Sequence, residues 1–92
     1  MNLQIQANPE VLWRAVDGEI VVLDPKHGYY YGIDGVGARI WELLQKRTTP
    51  QRILKSLIQE YEVDEKRLRE DMSKFISQLE KSGLLKYETC EP

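Results

Sequence analysis

The stretch Tyr29-Tyr30-Tyr31-Gly32-Ile33-Asp34-Gly35-Val36-Gly37-Ala38-Arg39-Ile40-Trp41 decides the fold, because within it the hydrophobic period changes from two to about 3.6. Up to Ile33 it is rich in aromatic residues that suit a pleated strand. Beyond Asp34, the residues Val36, Ile40, Trp41, Leu43 and Leu44 fall on one face of a helix. Asp34 is placed to cap that helix, and Gly35 and Gly37 keep its first turn slim.

Toward the N-terminus the pattern stays β. Leu12-Trp13-Arg14-Ala15-Val16 and Glu19-Ile20-Val21-Val22-Leu23 flank Asp17-Gly18, a pair that favours the two-residue hairpin turn because both its positions need positive φ. Asp24-Pro25-Lys26-His27-Gly28 supplies a second turn, with Pro presetting φ and Gly closing it. Two hairpins in succession predict a three-stranded antiparallel meander, with the second strand central and the tyrosine strand at an edge.

Toward the C-terminus the pattern stays helical. Thr49-Pro50 opens a helix that presents Ile53, Leu54, Leu57, Ile58 and Tyr61. Asp64 caps a third, in which Val63 and Leu68 can form a staple, Leu68, Met72, Phe75, Ile76 and Leu79 make the stripe, and Gly83 ends it. Leu84-Leu85-Lys86-Tyr87 reads either as a short closing strand or as an apolar cover for the core. The expected order is β-β-β-α-α-α, an α+β fold in which three helices cover one face of a small sheet. All 92 residues form one domain, with a core over residues 11–87 and a disordered tail at 88–92.

Composition narrows the function classes. Hydrophobic residues at 41% and charged residues at 30% suit a soluble domain. No segment approaches the roughly 18 consecutive apolar residues of a membrane span. Met1 to Pro9 lacks the basic-then-apolar pattern of a signal peptide, so a cytoplasmic location is expected. The single cysteine, Cys90, has no second cysteine to pair with in a disulfide or a metal site. A net charge of -2 argues against neutralising phosphates as the main task.

Candidate catalytic and cofactor sites fall short of what their chemistry needs. Gly35-Val36-Gly37-Ala38-Arg39-Ile40 follows a strand and opens a helix like a dinucleotide fingerprint, but Ile40 stands where the third glycine belongs and the βαβ unit is missing. His27 is the only histidine, which leaves no His-based metal cluster, and Ser56, Ser73, Ser77 and Ser82 lie on predicted helices rather than on a nucleophile-type turn. Most carboxylates alternate with Lys and Arg at helical spacing, as Glu70 does with Lys74, the pattern of a solvated face. Three helices beside a small sheet also describe a winged-helix DNA-binding regulator. From Asp64 to Ser82, however, five acidic residues offset five basic ones, against the positive surround that a recognition helix needs. No enzyme activity, cofactor, metal or nucleic acid is expected.

The edge strand is the informative feature. Natural edges carry charge, proline or a covering element, because unpaired N–H and C=O groups recruit other strands, and Tyr29 to Ile33 has no such residue. It reads either as ordinary strand with a bend at Gly32 or as an edge that docks a peptide.

From Trp13 to Leu85 the chain resembles the PqqD-like family of peptide recognition elements, most of all the stand-alone leader-binding proteins of lasso-peptide gene clusters. The likeness is carried by Gly28-Tyr29-Tyr30-Tyr31-Gly32-Ile33-Asp34 and Gly35-Val36-Gly37-Ala38-Arg39-Ile40-Trp41-Glu42-Leu43-Leu44. Thr49 with Ile53 and Leu57, Tyr61-Glu62-Val63-Asp64, Asp71-Met72 with Phe75-Ile76 and Leu79, and Gly83-Leu84-Leu85 continue it. One departure is Ile33-Asp34, where the family often has Leu-Asn; Asp caps a helix equally well.

The resemblance implies a winged helix-turn-helix-like fold in which the leader of a ribosomally made precursor docks as an added antiparallel strand on the third strand, beside the third helix. It maps the strand side of the groove onto Leu23, Tyr29, Tyr30, Tyr31, Gly32 and Ile33. At 100° per residue, Arg67, Asp71 and Gln78 lie on one flank of the third helix's apolar stripe. This flank with Phe75 is taken as the other wall; the opposite flank, with Arg69 and Ile76, is the alternative, and Phe75 reads equally as core. Implied partners are the precursor leader peptide, a separate leader peptidase and a cyclase, with the protein itself a monomer or weak dimer. A partner of a radical SAM enzyme acting on a different precursor is the alternative within the family.

Overall fold

Asp17 and Gly18 take φ of 50° and 81°, the paired left-handed conformations of a tight hairpin turn. The computed structural model describes residues 2–24 and 26–90, with side chains for 4–24 and 26–87. Its elements are β1 (Asn2–Ala7), β2 (Trp13–Val16), β3 (Glu19–Leu23), β4 (Tyr30–Ile33), α1 (Gly35–Leu43), α2 (Pro50–Glu60), α3 (Glu65–Lys81) and β5 (Leu85–Cys90). The expected α+β meander is present as an antiparallel sheet in the order β2-β3-β4, followed by three helices. The role foreseen for Pro25 lies outside the described residues.

A second sheet was not expected. β1 pairs antiparallel with β5, from Asn2 opposite Cys90 to Ala7 opposite Leu85. Of the two readings of residues 84–87, the strand is the one realised. It carries the chain to Cys90, so residues 88–90, expected to be disordered, are paired; 91–92 lie outside the described residues. Ile5 and Ala7 enter the core, and the ribbon is tied to the helices by Ile5 N–H to Thr48 O at 2.8 Å and Ala7 N–H to Leu44 O at 2.7 Å. Leu3, Ile5 and Ala7 alternate with polar neighbours, the period-two signal of a half-buried strand.

The helix ends follow from their caps. Thr49 Oγ1 accepts from Arg52 N–H and Asp64 Oδ1 from Lys66 N–H, both at 3.2 Å. Past α3, Gly83 takes φ 76°, and two bonds, Leu84 N–H to Leu79 O at 2.9 Å and Gly83 N–H to Glu80 O at 3.1 Å, close a Schellman motif. Asp34 stands at the N-cap of α1 with extended backbone, but its side chain bonds none of the first turn. The reason lies next to it: Gly35 takes φ 56°, which turns the start of the helix away from the carboxylate.

One core lies between the helices and the inner face of the meander, built on the fully buried Val22, Trp41, Leu44, Leu57 and Leu84. Trp13 stands edge-on to Trp41, ring centroids 6.2 Å apart. Gly37 is where α1, α3 and β4 converge, since a Cβ there would sit 2.9 Å from Ile33 Cγ2 and 3.6 Å from Phe75 ring atoms. That close approach needs glycine. No helix among the described residues is long and apolar enough to cross a membrane.

Candidate functional site: the open edge of β4 and its cleft with α3

In an antiparallel pair, alternate residues turn their N–H and C=O toward the partner strand. Asp24 N–H donates to Tyr29 O at 2.9 Å, and the same register sets Val22 opposite Tyr31 and Ile20 opposite Ile33. Tyr31 and Ile33 therefore spend their backbone groups on β3, and the Tyr29 carbonyl is spent on Asp24 just beyond it. Tyr30 and Gly32 turn theirs outward, to the edge where no strand among the described residues pairs.

Side chains divide the same way. Tyr31 is half-buried and Ile33 buried against the helices, while Tyr30 and Gly32 are exposed on the outer face. Tyr29 and Tyr31, with rings 6.2 Å apart, form one wall of a cleft of about 360 Å³ whose other wall is Phe75, Gln78, Leu79, Lys81 and Ser82 of α3 and its end. Burial first, then the nearby Asp24 charge, pushes the Tyr31 hydroxyl above its ordinary value, against a hydrogen bond with Ser82 that works the other way.

The turn that aims Tyr29 is organised by a buried carboxylate. Asp24 is fully buried. Its Oδ1 accepts from Lys26 N–H at 2.8 Å and His27 N–H at 3.1 Å, and its Oδ2 lies 2.9 Å from His27 Nδ1. Burial pushes the Asp24 carboxyl up, but these bonds, led by the one from the His27 side chain, outweigh it and hold the group below its ordinary value. The His27 ring in turn lies 5.9 Å from that of Tyr29. His27, expected to be a solvated turn residue, is largely exposed yet tied to Asp24.

Of the residues singled out from sequence, Tyr29, Tyr31, Phe75 and Gln78 meet at this cleft. Tyr30 and Gly32 border it by backbone alone. Leu23, opposite Tyr30 in the register, shares its face and points away from α3. Ile33 is core. Arg67 and Asp71 are exposed, 4.0 Å apart, and extend the Phe75 and Gln78 stripe toward the start of α3 without lining the cleft. Phe75 is both wall and partial core. Lys81 and Ser82 are cleft residues that sequence reasoning missed; helical spacing from Gln78 reaches both.

The outer face of the meander carries a second, larger hollow of about 540 Å³ between Leu12, Trp13, Arg14, Val16, Val21 and Tyr30. Leu12 and Tyr30 are about two-thirds exposed there.

Comparison with known proteins bears on this edge. The family model described as "Coenzyme PQQ synthesis protein D (PqqD)" matches residues 19–85. The solved structure of TbiB1 in complex with the TbiA(beta) leader peptide is similar at 31% identity and a TM-score of 0.79, over 94% of this chain and 99% of that one. Lasso peptide synthetase B1 complexed with the leader peptide shares the fold at 24% identity and a TM-score of 0.75, over 89% of this chain and 96% of that one. No curated protein matches. The matched block runs from the start of β3 to the first residue of β5 and so contains every element that builds the edge and its cleft: the chain belongs to the PqqD family.

Proposed function

We propose that this protein recognises the leader region of a ribosomally made lasso-peptide precursor by accepting it as a strand on β4, with α3 as the second wall, and delivers it to a separate leader peptidase. A cyclase is a further partner, the site of action is the cytoplasm, and the protein is a non-catalytic monomer or weak dimer. The observation that carries the reading is the outward backbone of Tyr30 and Gly32 beside an aromatic cleft. The similarity to a solved protein that holds a leader peptide supports it.

Two outward residues offer about four hydrogen bonds, worth roughly 1 kcal/mol each. Ordering a free peptide costs about 2–5 kcal/mol, so backbone pairing does little more than break even. Selectivity then rests on side chains that enter the cleft against Tyr29, Tyr31 and Phe75. Titrating a fluorescent leader peptide from the precursor encoded beside this gene should give saturable binding at a single site. A flat titration would end the proposal.

Gene neighbourhood separates this reading from a partner of a radical SAM enzyme. DNA binding is disfavoured by the surface of α3, where Arg67 faces Asp71 at 4.0 Å and Arg69 faces Glu65 at 3.8 Å. Such pairing leaves little positive field for phosphates.

A further inference from the structure

The groove differs electrically at its two ends. β4 and α3 run antiparallel: Ile33 approaches Phe75 across Gly37, whereas Tyr29 and Tyr31 face Lys81 and Ser82. At the Tyr29 end, the Lys26 stem lies against Gly83, 3.0 Å from where a Cβ would stand, and Lys81 lines the cleft. Both lysines are exposed, and neither belongs to an ion pair among the described residues. Two carboxylates also lie near this end, but neither lines the cleft. Asp24 is buried under its three hydrogen bonds, and Glu80 accepts from the Tyr87 hydroxyl at 3.0 Å.

At the other end the exposed groups are acidic. The Glu19 carboxylate lies over Gly32, where it would collide with any Cβ. Asp34 is exposed and its side chain bonds no amide of α1, and one step past the Ile20 and Ile33 pair the register sets it opposite Glu19. Asp71 beyond them is offset by Arg67. From Tyr29 to Asp34 an extended chain covers about 17 Å at roughly 3.4 Å per residue. That is about two Debye lengths at physiological salt, so each end acts on its own part of a bound strand.

We infer that the site selects peptides by charge polarity: the strand added antiparallel to β4 carries basic residues before its paired segment, facing Glu19 and Asp34, and acidic residues after it, facing Lys26 and Lys81. This rests on the leader-binding reading and adds to it a rule of composition. The outer and inner faces of the strand remain free for apolar contacts, while the flanking charges choose partner and register. Exposed pairs of this kind are individually weak and salt-sensitive. They discriminate because two ends act together and the reversed pattern is repelled at both.

The test uses two labelled peptides that share the central segment of the neighbouring precursor's leader. One has Lys-Lys before that segment and Glu-Glu after it; the other has these flanks exchanged. In fluorescence anisotropy at about 50 mM salt, the first should bind roughly tenfold more tightly, with the gap closing near 500 mM. The variant carrying Lys26→Glu and Lys81→Glu, with an unchanged melting temperature, should lose that preference. Equal affinities within about twofold, both weakened about tenfold or more by Tyr30→Pro, would overturn the polarity rule and leave strand addition standing. No saturable binding by either peptide overturns both.

Discussion

The amide of Asp24 donates to the carbonyl of Tyr29 at 2.9 Å, and that bond fixes the parity of β4. One residue's shift would turn Tyr31 outward and bury Tyr30, exchanging the cleft wall for the outer face. The Asp24 side chain secures the same turn through Lys26 and His27, so one residue sets both the register and the aim of the tyrosines.

Proline substitution separates the two halves of that backbone. Tyr30→Pro removes an N–H that points outward and should weaken leader binding by about tenfold or more while leaving stability near that of the parent. Tyr31→Pro removes an N–H that serves the Val22 pairing and should cost about 1–3 kcal/mol of stability. Urea unfolding together with peptide titration checks both. Equal destabilisation by the two variants would contradict the assigned parity.

Gly37→Ala sets helix propensity against packing. Alanine in a helix gains about 1 kcal/mol over glycine, but here its Cβ would stand 2.9 Å from Ile33 Cγ2 with Phe75 ring atoms at 3.6 Å. Overpacking of this kind costs about 1–3 kcal/mol. Ile33 is buried and cannot swing into solvent. A net loss of about 1 kcal/mol in urea unfolding is therefore expected, with weaker leader binding because Phe75 is displaced. A gain in stability would show that Ile33 relaxes by rotation.

How much the sequence revealed depends on whether the signal was local. The Asp17-Gly18 turn, the Thr49 and Asp64 caps and the Gly83 stop are local chemistry, and each appears where its residues predict. Asp34 is the exception, because its neighbour Gly35 adopts a left-handed conformation that the cap residue alone does not reveal. β1 went unread because its partner, β5, lies some eighty residues away, and six residues of weak alternation carry no turn signal between them. The cleft was half legible. Helical spacing brought Phe75 and Gln78 to one flank, whereas the division of Leu23 and Tyr30 from Tyr29 and Tyr31 needed the strand parity that only the paired backbone displays. Helical spacing from Gln78 reaches Lys81 and Ser82, but that they complete the wall depends on the turn after β3 lying against the end of α3, a tertiary contact that spacing does not report.

Ile5→Ala tests whether the unexpected ribbon is structural. Ile5 is 1% exposed and its backbone is bonded to Thr48 in both directions, at 2.8 and 3.0 Å. Truncating a buried isoleucine costs about 2–5 kcal/mol, a large share of the stability of so small a domain. Urea unfolding should show that loss, while the folded fraction binds leader with unchanged affinity because β1 lies outside the groove. A cost under about 0.5 kcal/mol would mean that the ribbon is peripheral to the core.

Acid sensitivity should trace to Asp24. Burial raises its carboxyl, but the His27 side chain, the His27 and Lys26 amides and the His27 charge lower it further, so the folded group titrates below its ordinary 3.8. A folded value beneath the unfolded one contributes stability that is fully present above the unfolded value and is lost as pH falls through the folded one. Asp24→Asn keeps the shape and loses the charge. It should unfold at lower urea than the parent near pH 7, and the gap should narrow as the pH drops below about 4. The same variant should bring the Tyr31 hydroxyl back toward its ordinary value, since part of its upward shift comes from the Asp24 charge, and ultraviolet titration of the tyrosines reads this directly. A gap that stays constant with pH, alongside an unmoved tyrosine titration, would place the source of the turn's stability in packing rather than in the carboxylate.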